Sequence, residues 1–171
     1  MILVYTHQIS PRLQYAFKMV FKQFLNCEVR FTSQVEEFIA NDGVKISYTK
    51  NPLGSELFFR SHSILFEKGI VDQDVNVKSW KGHKVFFEQG DNSALPFDVF
   101  AASFYLLSRY EEYLPHFKDR FQRFPAKESL AYQKGFLKIP IIEYWLKELV
   151  AVIQFKFPDF NPSQRQFKFI N

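Results

Sequence analysis

The chain has 171 residues, 47% of them hydrophobic and 23% charged, with a net charge of +4 and one cysteine. That length suits a single domain, 1–171, with a sizeable core, and a lone cysteine excludes an internal disulfide. No apolar run is long enough to span a membrane and none of the usual nucleic-acid-binding motifs is present, so neither a membrane span nor a nucleic-acid partner is expected.

Aromatic residues make up 19% of the chain, 22 of them Phe, so the core should be Phe-rich. Residues 2–6 are continuously apolar, as in a central parallel strand. The N-terminus lacks the basic leader and cleavage site of a signal peptide, and the chain reads as cytoplasmic. Ser10 or Thr6 can cap the next helix, Pro11 suits its first turn, and Leu13, Phe17, Val20, Phe21 and Phe24 recur at helical spacing to about residue 25. Cys27 follows, read as a small buried hydrophobe. Residues 28–32 form a second strand. Ser33, with Glu36 three residues on, has the form of a capping box for a helix through Ala40. Asn41-Asp42-Gly43 ends that helix, and residues 44–49 alternate as a third strand. This β-α-β-α-β opening predicts an α/β fold with parallel strands flanked by helices.

After a turn at 51–54, residues 56–60 are a fourth strand candidate, and Ser61 or Ser63 can cap a short helix ending near Gly69. Residues 75–80 and 84–88 flank Lys81-Gly82-His83 as a hairpin, which makes the expected sheet mixed, only partly parallel. A central buried helix is predicted over about 96–114, with Pro96 and Asp98 in its first turn and Pro115 stopping it. Asp98, Ala102, Tyr105, Arg109 and Glu112 recur along it at spacings of four and three, a polar seam on one face. Residues 116–138 then hold six basic residues (Lys118, Arg120, Arg123, Lys127, Lys134, Lys138) against Asp119 and Glu128. So long a segment without regular pattern reads as functional or as a packed Ω-like excursion. Pro140 opens a last helix to about Phe155, with Ile142, Trp145, Leu146, Leu149 and Val152 on its buried face. Pro158 and Pro162 bracket a turn, and residues 167–170 form a short strand or linker.

The sequence names no reaction. His7, His62, His83 and His116 form no HxxxH or HExxH pair, the six glycines build no phosphate-binding loop, and there is no GxSxG elbow. Glu111 and Glu112 are adjacent, so on a helix they diverge, and Glu112 can pair with Arg109 instead. Asp72, Asp74 and Lys78 faintly echo the acid-acid-lysine set of metal-dependent nucleases.

The run LPFDVFAASFYLLSRYEEYL at 95–114 resembles a particular protein group, with Arg123-Phe-Pro-Ala126, Ser129-Leu-Ala-Tyr132, the opening MILVYTH and Lys45-Ile-Ser-Tyr-Thr-Lys50. The group is the uncharacterised domain that precedes the catalytic domain in polysaccharide deacetylase-like proteins of Bacteroidetes. The resemblance covers essentially the whole chain. It implies a non-catalytic N-terminal accessory domain, with the deacetylase domain expected downstream as its partner. Family deacetylases hold a divalent metal by an Asp and two His; no position here matches them, so the metal is expected in the downstream domain and no cofactor in this one. An anionic glycan or sugar precursor is the implied ligand, with Asp98, Tyr105, Arg109, Glu112, Arg123, Lys127 and Tyr132 as candidate contacts. Two other readings stand beside it. One is a stand-alone metal-dependent hydrolase or nuclease using Asp72, Asp74, Glu111 or Glu112. The other is a structural oligomerisation module. The first reading requires the seam and the basic segment to converge on one cleft.

Overall fold

Four of the expected strands form one parallel sheet in the computed structural model, which describes residues 1–163. They are β1 (Ile2–Tyr5), β2 (Val29–Thr32), β3 (Lys45–Thr49) and β4 (Phe58–Arg60), in spatial order β2-β1-β3-β4. Leu3 pairs with Arg30 on one side and Lys45 on the other, so β1 is internal and buried along its whole length. Cover on both faces explains its unbroken apolar run. β3 is covered in the same way. Its alternation marks no solvent face, because Ser47 and Thr49 are buried with hydroxyls donating to Glu56 (2.7 Å) and to the Asn51 carbonyl (2.7 Å). The strand expected at 167–170 lies outside the described residues.

Helix α1 (Pro11–Phe17) begins where Ser10 accepts a hydrogen bond from the Leu13 N–H at 3.0 Å, with Pro11 in its first turn. It continues as a π-helix over Lys18–Phe24, closed by the Leu25 N–H on the Val20 carbonyl at 3.2 Å. Helix α2 (Val35–Ala40) is capped differently from the expected box. Gln34 is its N-cap and Ser33 is exposed. The hydroxyl of Thr32 instead accepts from the Gln34 N–H (3.1 Å) and bonds the Glu37 carboxylate. Leu13 and Phe17 of α1 pack with Ile2, Val4, Ile46 and Tyr48, whereas Phe38 of α2 packs with Leu3 and Tyr5. The two crossovers therefore cover opposite faces, and the chain changes direction between β1 and β3 as in doubly wound sheets.

The antiparallel strands are present as a separate ribbon. β5 (Lys78–Trp80) and β6 (His83–Val85) pair with each other, not with the parallel sheet. Their turn is Lys81-Gly82, at φ 49° and 80°, so the loop is two residues long and His83 already belongs to the strand. After β4 the expected short helix is a 3-10 turn, Ser63–Leu65, capped by His62 rather than by Ser61 or Ser63: its Nδ1 accepts from the Ile64 N–H at 3.3 Å.

Helix α3 (Val99–Leu107) runs through the centre of the core, with Val99 to Tyr105 all buried. Phe100 stacks on Phe17 (3.8 Å between centroids) and meets Tyr48 and Phe59 edge-on. The next helix, α4 (Leu130–Gln133), is a single turn within the basic segment. The last, α5 (Ile141–Lys156), buries Ile141, Trp145, Leu146, Leu149 and Ile153. That stripe is displaced from the expected one at both ends, where Ile142 and Val152 are half-buried. Trp145 joins α5 to the ribbon by donating from Nε1 to the Lys84 carbonyl at 3.0 Å.

Candidate functional site

α3 is shorter than the predicted helix, and both of its ends bear on the site. Asp98 is its N-cap, not a first-turn residue, and Pro96 lies outside it. One Asp98 oxygen accepts from the Phe100 and Ala101 N–H groups at 3.0 and 2.9 Å. The other accepts from the Tyr48 hydroxyl at 2.5 Å and the His62 N–H at 2.8 Å. Asp98 is 3% exposed, and burial pushes its carboxyl up to about 6 against the pull of these four donors. The same burial, with Asp98 alongside, raises the Tyr48 phenol well above its ordinary value. His62 stacks on Phe87 (4.1 Å), a bulky residue at φ 59° held there as its carbonyl accepts from the Asp98 N–H at 2.9 Å. Asp98 thus ties together β3, the end of β4 and α3.

At the other end Arg109 takes φ 53°, ψ 45°, a left-handed conformation that terminates the α-helix. A 3-10 turn, Tyr110–Tyr113, follows. The expected seam is therefore broken. Asp98, Ala102 and Tyr105 are buried, whereas Arg109 and Glu112 belong to a segment turned outward. Asp98 and Arg109 lie beyond opposite ends of α3, whose nine residues span about 13 Å at 1.5 Å per residue.

Around this break three clefts meet at Phe124. The first, about 530 Å³, has apolar walls from Phe24, Leu106, Phe136, Ile139 and Ile141, and Arg109, Glu111 and Glu112 also line it. The second, about 620 Å³, is polar: Arg109, Glu112, His116, Lys118, Asp119 and Arg123 line it. The third, about 590 Å³, is lined by Asp72, Tyr105, Glu111, His116, Phe117 and Glu128.

Of the residues chosen from sequence, Arg109 and Glu112 line two of these clefts, Arg123 one and Tyr105 another. Lys127 and Tyr132 are exposed and line none of the three, and Asp98 is at the far end of α3. Phe124, Lys118 and His116 line the clefts although none was among the candidate contacts. Of the three, Phe124 carried a signal in sequence, since it sits in Arg123-Phe-Pro-Ala126, one of the runs that carry the resemblance.

Arg109 pairs with Glu112, and Arg123 pairs with Asp119 at 3.0 Å. The Asp119 carboxylate also accepts from the backbone N–H groups of Arg123 (3.0 Å) and Phe121 (2.8 Å), and these bonds, the first foremost, hold its carboxyl below the usual range. Lys118 has no carboxylate partner among the described residues, so the second cleft holds three cations to two carboxylates. Glu111 accepts from the Leu130 N–H at 2.6 Å and fastens α4 to the break; burial raises its carboxyl. Burial, and after it the nearby Glu111 and Asp72, raises the Tyr105 phenol.

Residues 2–158 match a family of unknown function, DUF7033. The chain belongs to that family. No curated protein and no solved structure matches it.

The chemistry offered at Phe124 is recognition of an anion beside an apolar surface. Guanidinium forks suit a carboxylate or phosphate, and ring faces suit a sugar. Among the described residues no three His, Cys, Asp or Glu side chains come together as a metal-ligand set, and Lys78 of the faint nuclease pattern pairs with Glu88. No helix among the described residues is long and apolar enough to cross a membrane.

Proposed function

We propose that this domain is a non-catalytic binding module whose clefts at Phe124 hold an anionic glycan or sugar precursor. In this reading it is the N-terminal accessory domain of a polysaccharide deacetylase-like protein of Bacteroidetes. It packs on a downstream catalytic domain, and the divalent metal belongs to that domain. The observation that carries the reading is the meeting of Arg109, Lys118 and Arg123 in one cleft, sharing Arg109, Glu112 and Phe124 with an apolar neighbour. Solvent-exposed ion pairs such as Arg109–Glu112 and Arg123–Asp119 contribute only about 0–1 kcal/mol, so a ligand carboxylate can replace them cheaply.

The test compares this chain with the longer protein, following acetate release from acetylated amino-sugar polymers. Only the longer protein should be active, and Arg109→Ala within it should raise KM about tenfold, the scale of one lost charge-assisted bidentate contact. Acetate release by this chain alone refutes the reading.

A further inference from the structure

The whole net charge of the protein lies in one segment. Residues 116–138 hold six Lys or Arg against two acids, and the rest of the chain holds sixteen of each. All six cations are exposed, whereas Asp119 and Glu128 are half-buried. The same stretch also exposes several large apolar groups. Phe117 is 86% exposed, Phe121 58% and Tyr132 57%, flanked by Tyr113 at 68% and Ile139 at 44%. Asp119 organises the tip by accepting from the Phe121 and Arg123 N–H groups, and the guanidiniums of Arg120 and Arg123 lie over the Phe121 ring at 4.6 and 4.8 Å. These groups cluster in space: Phe117, Arg123 and Ile139 line three clefts that share Phe124.

We infer that the 113–139 face is a docking surface for an anionic lipid bilayer. A glycan held by Arg109 and Arg123 leaves Phe117 uncovered. A bilayer surface accommodates both chemistries at once, headgroup phosphates meeting the exposed cations while the rings enter the interfacial layer. Neither signal suffices alone; stable interfacial binding combines an apolar insertion with a basic patch. The inference does not depend on the glycan reading.

The experiment is flotation of the full chain with vesicles of phosphatidylcholine alone and of phosphatidylcholine mixed with phosphatidylglycerol. Binding should require phosphatidylglycerol and weaken as salt is raised. Phe117→Ser with Phe121→Ser should lower partitioning by about a hundredfold, since each buried ring is worth at least about tenfold. Arg120→Ser with Lys127→Ser should lower it about twenty-five-fold, at about fivefold per cation. All four positions are exposed, so the variants should keep the wild-type unfolding midpoint, measured in parallel. Absence of binding to the mixed vesicles overturns the inference. So does equal binding to both vesicle types, or wild-type binding by folded variants.

Discussion

Removing the Asp98 carboxylate should be among the most damaging single changes in the domain. Asp98→Ala deprives the first turn of α3 of its cap, a loss of about 1 kcal/mol. It also strands the Tyr48 hydroxyl, which is fully buried, and the His62 N–H, at about 1–3 kcal/mol each. The total, about 3–7 kcal/mol, is a large fraction of the 5–15 kcal/mol that holds a typical domain together. In a thermal melt it should appear as a fall in Tm on the order of 10–20 °C. Tyr48→Phe removes one donor and leaves the cap, so it should cost less. In the double variant the Tyr48 change should become nearly free, because no carboxylate remains for the hydroxyl to meet. Urea denaturation of the four proteins closes this cycle. If Asp98→Ala costs less than about 1 kcal/mol, or if Tyr48→Phe costs as much with Asp98 absent as with it present, Asp98 is not the knot joining β3 to α3.

The raised carboxyl of Asp98 also sets a pH dependence. Its folded-state value of about 6 lies above its ordinary 3.8, so the protonated form is favoured in the fold. Its contribution is fully present below about pH 4 and is lost as pH rises through about 6, a swing of about 3 kcal/mol that denaturation of Asp98→Asn should not show. Ser103, fully buried on α3, has a hydroxyl oxygen without a hydrogen-bond partner among the described residues, so Ser103→Ala should stabilise by about 1 kcal/mol in the same assay. Arg109→Gly should be more stable than Arg109→Ala by about 1 kcal/mol, because only glycine takes the left-handed conformation without penalty. The opposite order would mean that residue 109 is helical.

Periodicity and turn chemistry made the parallel sheet readable: an unbroken apolar β1, an amphipathic α1 begun by Ser10-Pro11, and a stop at Asn41 to Gly43 all hold. The failures have separate causes, some local and some long-range. Ser33-x-x-Glu36 fits a capping box, yet the hydroxyl that meets Gln34 comes from Thr32 at the end of β2. The alternation in β3 suggests one wet face, but both faces are covered. The break at Arg109 left no trace, since neither glycine nor proline marks it and the polar spacing of four and three continues across it. The seam was therefore legible as a pattern but not as a place. Arg109 and Glu112 were drawn to the clefts by the turn that follows the break, while Asp98 was drawn inward by donors 36 and 50 residues away in sequence.

The most direct test of anion recognition at Phe124 is calorimetric titration of an oligomer of galacturonic acid, which carries a carboxylate on every sugar, against its uncharged methyl ester. The acid form should bind and the ester should not. Arg109→Ala with Arg123→Ala should abolish the signal while leaving Tm within a few degrees of wild type, because both side chains are exposed. Equal binding of acid and ester, or an undiminished titration by the double variant, would contradict recognition through these arginines.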